Sequence, residues 1–315
     1  MLAIGIDIGG TSIKGAFVKE NGEILSKFSM KMDQNASPED VINQLCDLII
    51  EEINKYHYED IKGVGIGMPG TLDIDEGIVI HSPNLIKWDN FPLKALFEKR
   101  TGLETLINND ANVAALGEAK FGSGAKYQNI IMLTLGTGVG GGIIFDGKIY
   151  DGNKHQGAEL GHAIIELNGR QCTCGRRGCI EAYASATALI KDTKECMDKN
   201  PDSLLHQIKE ELGTVDARNA FIAAKKGDKA AIKLVDNYVM YLSEALLDYC
   251  NIFRPNAIIL SGGVANEGDY LFDKIKEYLK VNTYGMRGSE KVEVLPSLLG
   301  YDSGKIGAAC LIIFK

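Results

Sequence analysis

Residues 2–7 form a short apolar run that ends at the turn Gly9-Gly10-Thr11; a second run over 14–18, the turn Asn21-Gly22 and a third run over 23–30 follow. Short apolar segments separated by such turns predict three antiparallel strands. Pro38 then opens a helix in which Val41, Leu45, Leu48, Ile49 and Ile53 recur at helical spacing, and residues 61–68 return as a strand. Residues 103–107 read as another strand, followed by the helix-like stretch 111–118. At residues 130–135 the opening pattern begins again: apolar strand, the glycine turn 136–142, a strand over 143–145, and the hairpin turn Asp146-Gly147. A strand, a glycine turn carrying threonine, a strand and a hairpin have then occurred twice, which predicts two lobes built on one plan, each aiming a glycine turn at a shared cleft. Residues 218–251 read as mostly helical, with Val235, Tyr238, Leu242, Ala245, Leu246 and Tyr249 on one apolar face. Residues 257–260 form a buried strand ended by Ser261-Gly262-Gly263, and 303–313, rich in Ala and Gly, a packed helix. The alternation of strands and helices predicts an α/β fold.

Bulk properties narrow the partners. The 315 residues exceed the usual single-domain size, and 45% hydrophobic with 24% charged residues is ordinary globular composition. A net charge of -8 without a long Lys/Arg run argues against nucleic acid as a partner. No stretch of eighteen apolar residues suggests a membrane span, and the N-terminus lacks the basic start of a targeting segment, so a reducing cytoplasm is the expected location. Seven cysteines in such a chain do not form a disulfide framework: Cys172, Cys174 and Cys179 cluster, while Cys46, Cys196, Cys250 and Cys310 sit alone among apolar neighbours and are expected in the core.

Three features carry chemistry. In the run from Asp7 to Lys14, Gly9 and Gly10 let backbone N–H groups converge on phosphate oxygens, Thr11 adds a hydroxyl, Lys14 a positive charge, and Asp7 an acceptor for Mg²⁺ or its waters. A P-loop and a dinucleotide fingerprint are both excluded, because the spacing is absent and the turn leads into a strand. Thr137 and Gly138 in the second glycine turn and Gly262-Gly263 in a third complete a nucleotide site, with phosphates between the first two turns and adenosine against the third. Next, His162 with Cys172, Cys174 and Cys179 offers one imidazole and three thiols within eighteen residues, a set suited to tetrahedral Zn²⁺ of the closed, structural kind. Arg170, Arg176 and Arg177 are placed to ease thiolate formation. Last, Asn108-Asn109-Asp110 joins a strand to a helix. An Asp there is commonly an N-cap, but a strand end in an open α/β sheet is also where ligands bind, so Asp110 reads as cap, as catalytic base, or as both.

The glycine turns resemble those of the sugar kinase, actin and heat-shock ATPase superfamily. The histidine followed by Cys-x-Cys-Gly-x-x-Gly-Cys-x-Glu, matched here from His162 to Glu181, resembles the signature of the ROK family of bacterial sugar kinases and sugar-responsive repressors. That resemblance covers effectively the whole chain and implies two actin-like ATPase (ribonuclease H-like) lobes with an interlobe cleft: a small lobe over residues 1–118, completed by the C-terminal helix 303–315, a large lobe over 119–302 carrying the zinc loop, and a hinge near residues 115 to 125. It implies that His162, Cys172, Cys174 and Cys179 hold zinc, that Asn84, Asn109, Glu159, His162 and Glu181 contact the sugar, and that Asp110 takes the proton from the sugar hydroxyl. The implied reaction is transfer from MgATP to an aldohexose, giving the 6-phosphate. Glucose is the first choice of substrate, with N-acetylmannosamine, N-acetylglucosamine and fructose as alternatives, and a homodimer or homotetramer is expected. The family's repressors carry a DNA-reading domain ahead of the first phosphate motif, whereas only six residues precede Asp7 here, which favours the kinase over a sugar-sensing repressor; intact Asp7, Thr11, Asn109, Asp110, Thr137 and glycines count against a sugar- or nucleotide-binding protein without activity.

Overall fold

The computed structural model describes residues 1–83, 85–285 and 291–315; Asn84 lies outside the described residues. Along the chain, β1 (Leu2–Ile8), β2 (Ser12–Lys19) and β3 (Ile24–Lys31) precede α1 (Pro38–Tyr56), β4 (Ile61–Met68), β5 (Thr71–Asp73), β6 (Ile78–His81), α2 (Leu93–Thr101), β7 (Thr105–Asn109) and α3 (Asp110–Phe121). There follow β8 (Ile130–Leu135), β9 (Val139–Phe145), β10 (Lys148–Ile149), α4 (Glu181–Ala184), α5 (Ala186–Lys199), α6 (Leu205–Leu212), α7 (Ala217–Lys225) and α8 (Lys229–Phe253). β11 (Ala257–Ser261), α9 (Asp269–Asn282), β12 (Glu293–Pro296) and α10 (Ser303–Ile313) close the chain. One sheet has the order β3-β2-β1-β4-β7 and another β10-β9-β8-β11-β12, so the same connection scheme is used twice.

Contacts divide the chain into two compact units, one of residues Met1–Gln128, Gly142–Ala158 and Leu298–Lys315, the other of Asn129–Gly141 and Glu159–Ser297. Residues 119–128 and 142–158, which the resemblance assigns to the large lobe, group by their contacts with the first of these units.

In the first unit, β1 pairs antiparallel with β2 and parallel with β4, and β4 is parallel to β7. Side chains alternate across a strand. Leu2, Ile4, Ile6 and Ile8 of β1 join Val64, Ile66 and Met68 of β4 in a core with Ile42, Leu45 and Ile49 of α1 and Phe97 of α2. Ala3, Gly5 and Asp7 take the opposite face, as do Gly63, Gly65 and Gly67. There the strands meet α10 and α3 at backbone distance: a Cβ on Gly5 would lie 1.8 Å from the Lys305 carbonyl oxygen, and one on Gly65 1.7 Å from that of Ala308. α1 begins as its sequence predicts, with Pro38 in the first turn and the Ser37 hydroxyl accepting the Asp40 N–H at 3.1 Å.

In the second unit β8, β11 and β12 run parallel. The helical stretch predicted over 218–251 is two helices: Gly227, at φ 89°, ends α7, and Asp228 caps α8 by accepting the Ala231 N–H at 2.8 Å. The apolar face of α8 is buried as its spacing predicts, and its two buried tyrosines add polar anchors. Tyr238 donates to the Ala184 carbonyl at 2.7 Å and Tyr249 to the Leu160 carbonyl at 2.8 Å, pinning both ends of the segment that carries His162 and the cysteines. Cys46, Cys250 and Cys310 are core residues, whereas Cys196 is half-buried, its sulfur 3.6 Å from the Asn200 amide.

Candidate functional site

Because β1, β4 and β7 are parallel, the turn after β1 and the Asn109-Asp110 step after β7 lie at the same end of their sheet, the carboxyl end at which open α/β sheets bind ligands. The turn is closed by the Gly9 N–H donating to the Ser12 carbonyl at 3.0 Å, and the Gln34 amide holds the Gly10 carbonyl at 2.9 Å. Thr11 and Lys14 are exposed, and Lys14 is the cross-strand partner of Asp7. Alternation along β1 sends the Asp7 side chain to the face covered by α10, and a Cβ on Gly304 would lie 3.1 Å from its Oδ2. Burial pushes the Asp7 carboxyl up from its ordinary value, an effect opposed by Lys305 and Lys14. Lys305 is itself buried, paired with Asp302 at 2.8 Å and donating to the Tyr301 carbonyl at 2.9 Å.

Asn109, not Asp110, caps α3. Its Oδ1 accepts the N–H of Ala111 at 2.9 Å and of Asn112 at 3.4 Å. Asp110 is instead the first residue of the helix, where its Oδ1 accepts the Ala111 N–H at 2.9 Å. The Asn109 oxygen is thereby committed, so Asn109 has its NH₂ group to offer a ligand. Beneath the pair, the buried Asn108 Oδ1 accepts the Asn109 N–H at 2.7 Å and the Asn112 Nδ2 at 3.1 Å, a support for which the sequence gives no separate signal. Farther along α3, the fully buried Glu118 accepts the N–H groups of Ser123 (2.8 Å), Leu298 (3.2 Å) and Leu299 (2.8 Å). A lone Glu in a run of small apolar helix residues is the only sequence trace of that role. His81 packs its Nδ1 3.0 Å from Asp89, holding the loop after β6, and Trp88 is a core residue set edge-on to Phe91.

In the second unit, β8 and β11 are parallel, which puts Thr137-Gly138 and Gly262-Gly263 at one end of that sheet. The glycine run predicted as a single turn over 136–142 is shorter: β9 already begins at Val139, and the Gly136 N–H closes onto the Gly138 carbonyl at 3.1 Å. Gly262 sits at φ 89°, and a Cβ there would come within 2.4 Å of the Leu135 carbonyl oxygen, so glycine is required.

The cysteine segment is folded by two isolated bridges, Ile164 with Cys179 and Gln171 with Arg177. They carry His162, Cys172, Cys174 and Cys179 together, with all four ligand atoms within 4.8 Å of one another. Cys174 Sγ lies 3.7 Å from Cys179 Sγ, and Cys172 Sγ 3.7 Å from His162 Nδ1. A tetrahedron with Zn–S bonds of about 2.3 Å has S···S edges of about 3.8 Å, so this set fits a closed four-ligand zinc site. Burial pushes the Cys172 thiol up to about 12, while at Cys174 bonds from the Arg176 amide and the neighbouring thiols outweigh burial and lower it. Arg170 does not serve these thiols: it pairs with Asp192 at 2.9 Å and stacks on Tyr183 at 4.6 Å.

Glu159 is exposed at the start of the short 3₁₀ turn Leu160–His162. Glu181 opens α4 with both carboxylate oxygens engaged. Oε1 accepts the Thr173 hydroxyl at 2.8 Å and lies 3.4 Å from Cys172 Sγ, while Oε2 accepts the Val139 N–H at 3.1 Å. His57 is exposed, His155 pairs with Asp151 at 2.9 Å, and His206 meets the Met197 and Asn200 carbonyls at 3.2 Å; His162 is the histidine of the cysteine cluster. No helix among the described residues is long and apolar enough to cross a membrane.

Residues 3–314 match the ROK family. A glucokinase from Thermotoga maritima is 40% identical over 310 residues, covering 98% of this chain and 96% of its own. A xylose repressor of Bacillus subtilis is 31% identical over 315 residues, covering 99% of this chain and 77% of its own. Among solved structures, a ROK family glucokinase from Streptomyces griseus in complex with glucose and AMPPNP is similar at a TM-score of 0.83 and 34% identity, with both chains covered in full.

Proposed function

Because this chain belongs to the ROK family, we propose that it is an ATP-dependent hexose kinase whose sugar is glucose. Its fold is α/β with the two actin-like lobes of that family. In the proposed reaction the sugar 6-hydroxyl attacks the γ-phosphorus, the bond from that phosphorus to the bridging oxygen breaks, and ADP leaves. Asp110 accepts the hydroxyl proton, and the Asn109 NH₂ donates to the sugar. Glu159 and Glu181 accept sugar hydroxyls, with His162 presenting Nε2, the nitrogen opposite the one facing Cys172; Asn84 is assigned to the same substrate by resemblance. The N–H groups of Gly10, Thr11, Thr137 and Gly138, with Lys14, receive phosphates, while Gly9 shapes the first turn through its N–H bond to the Ser12 carbonyl, and Gly262-Gly263 takes the adenosine.

Zinc held by His162, Cys172, Cys174 and Cys179 would supply rigidity to the loop rather than chemistry, since four protein ligands leave no position for water. Mg²⁺, carried on the phosphates and held through Asp7 or its waters, would supply charge neutralisation. A reducing compartment suits the thiols, and the protein is proposed to work as a homodimer or homotetramer.

The observation that carries the catalytic assignment is the division of labour at the start of α3, where Asn109 does the capping and a carboxylate follows it at the carboxyl end of β7. Steady-state assay with ATP against glucose, fructose, N-acetylglucosamine and N-acetylmannosamine tests the whole reading. Glucose should give the highest kcat/KM. Sugar binding without turnover on any of the four would place the chain with the sugar sensors of its family instead.

A further inference from the structure

We infer that Glu181 is a positioning residue for the nucleotide phosphates, holding the glycine turn between β8 and β9 and tying it to the cysteine loop. This rests on the kinase reading above and deepens it. An assignment of Glu181 to the sugar alone leaves one of its carboxylate oxygens unexplained, because Oε2 is taken up by the Val139 N–H. The fit is close enough to dictate the neighbouring residue: a Cβ on Gly138 would lie 2.4 Å from that same oxygen. Oε1 meanwhile accepts from Thr173, which sits between two of the cysteines, so the carboxylate is oriented from the metal-loop side. Other contacts grip the turn from the same elements. The Ala186 N–H donates to the Gly136 carbonyl at 2.8 Å, and a Cβ on Gly161 would meet the Val139 carbonyl oxygen at 2.0 Å. The segment that shapes the sugar side thus also sets the backbone whose N–H groups receive phosphate. A bond to a charged acceptor is the strong kind, and it fixes the peptide on which the phosphate donors depend.

The test is calorimetric titration with the non-hydrolysable analogue AMPPNP and Mg²⁺ in the absence of sugar, so that loss of a sugar contact does not register. Glu181→Ala should bind the analogue about tenfold more weakly. Glu181→Gln keeps an acceptor for the Val139 N–H and should stay within about threefold of the parent. Thr173→Val, an exposed change outside the proposed sugar and nucleotide contacts, removes the orienting hydroxyl and should give an intermediate loss while remaining folded. Gly138→Ala should weaken binding in the parent but add little in the Glu181→Ala background, where the clash is gone, a non-additivity that general destabilisation does not produce. Unchanged analogue affinity in Glu181→Ala and Thr173→Val, with sugar affinity reduced in the former, overturns the inference and leaves the kinase reading standing. A parent protein that fails to bind the analogue overturns both.

Discussion

Replacing Asp110 with Asn separates chemistry from architecture. Even had Asp110 capped α3, the substitution would keep the cap, since Asn caps about as well as Asp. With the cap made by Asn109 through bonds of 2.9 and 3.4 Å, Asp110→Asn leaves the helix start intact. The introduced amide oxygen can also keep the 2.9 Å bond to the Ala111 N–H. The negative charge lost from the first helical turn is worth about 0.3–1 kcal/mol, which corresponds to a melting temperature lower by about 4 °C at most. What is lost chemically is the proton acceptor, worth about 10² to 10⁴ in kcat, or about 3–5 kcal/mol of transition-state stabilisation. The two magnitudes differ enough to be read independently. The assays are kcat from ADP release, sugar affinity by calorimetry, and a thermal melt. The expected pattern is a folded protein with near-parental sugar affinity and a kcat reduced at least a hundredfold. Near-parental kcat in the folded variant would refute the assignment of Asp110 as base.

Three further outcomes follow from the same geometry. Metal analysis of the purified protein should find about one zinc per chain, and Cys174→Ser should lower the zinc content and weaken sugar affinity through loop disorder; a metal-free parent contradicts the site. Glu159→Ala should raise the sugar KM by the loss of a charge-assisted bond, about 1.5–3 kcal/mol, and leave the KM for ATP nearly unchanged, because its exposed side chain has no tie to the glycine turn comparable to that of Glu181; an unaltered sugar KM removes it from the site. Glu118→Ala strips the acceptor from three backbone N–H groups and should cost about 3–5 kcal/mol, seen as a melting transition lower by about 10 °C; a change within a degree or two would mean that those amides find other partners.

Much of this architecture is legible in the residue pattern, and the exceptions share a cause. The opening strands, α1, β4, β7 and α10 lie close to where apolar runs and turn residues put them, because each has a period or a punctuating residue of its own. β9 begins within the glycine run because glycine carries no strand signal, and its conformation is set by what packs on it: a Cβ on Gly141 would strike the Leu160 side chain at 2.7 Å. Likewise Gly63, Gly65 and Gly67 alternate with Val64, Ile66 and Met68 in β4, an alternation that has meaning only once α10 and α3 cover the glycine face. At the candidate site the ligand types were readable from chemistry and spacing, while the roles of Asn109 as cap, Asn108 as support and Glu118 as clamp depend on hydrogen bonds that spacing does not reveal. The break at Gly227 was hidden by continuous helical periodicity on either side.

The contact of α10 with β1 has a consequence for how the chain is made. Translation emits the first strand about 300 residues before the helix that covers its glycine face, and at about 5–20 residues per second the interval is on the order of 15–60 s. During that time Gly5 and Gly65 present bare backbone surface where Lys305 and Ala308 will sit. The first unit therefore stays incomplete until α10 is made, and the turn after β1 acquires its final surroundings only then.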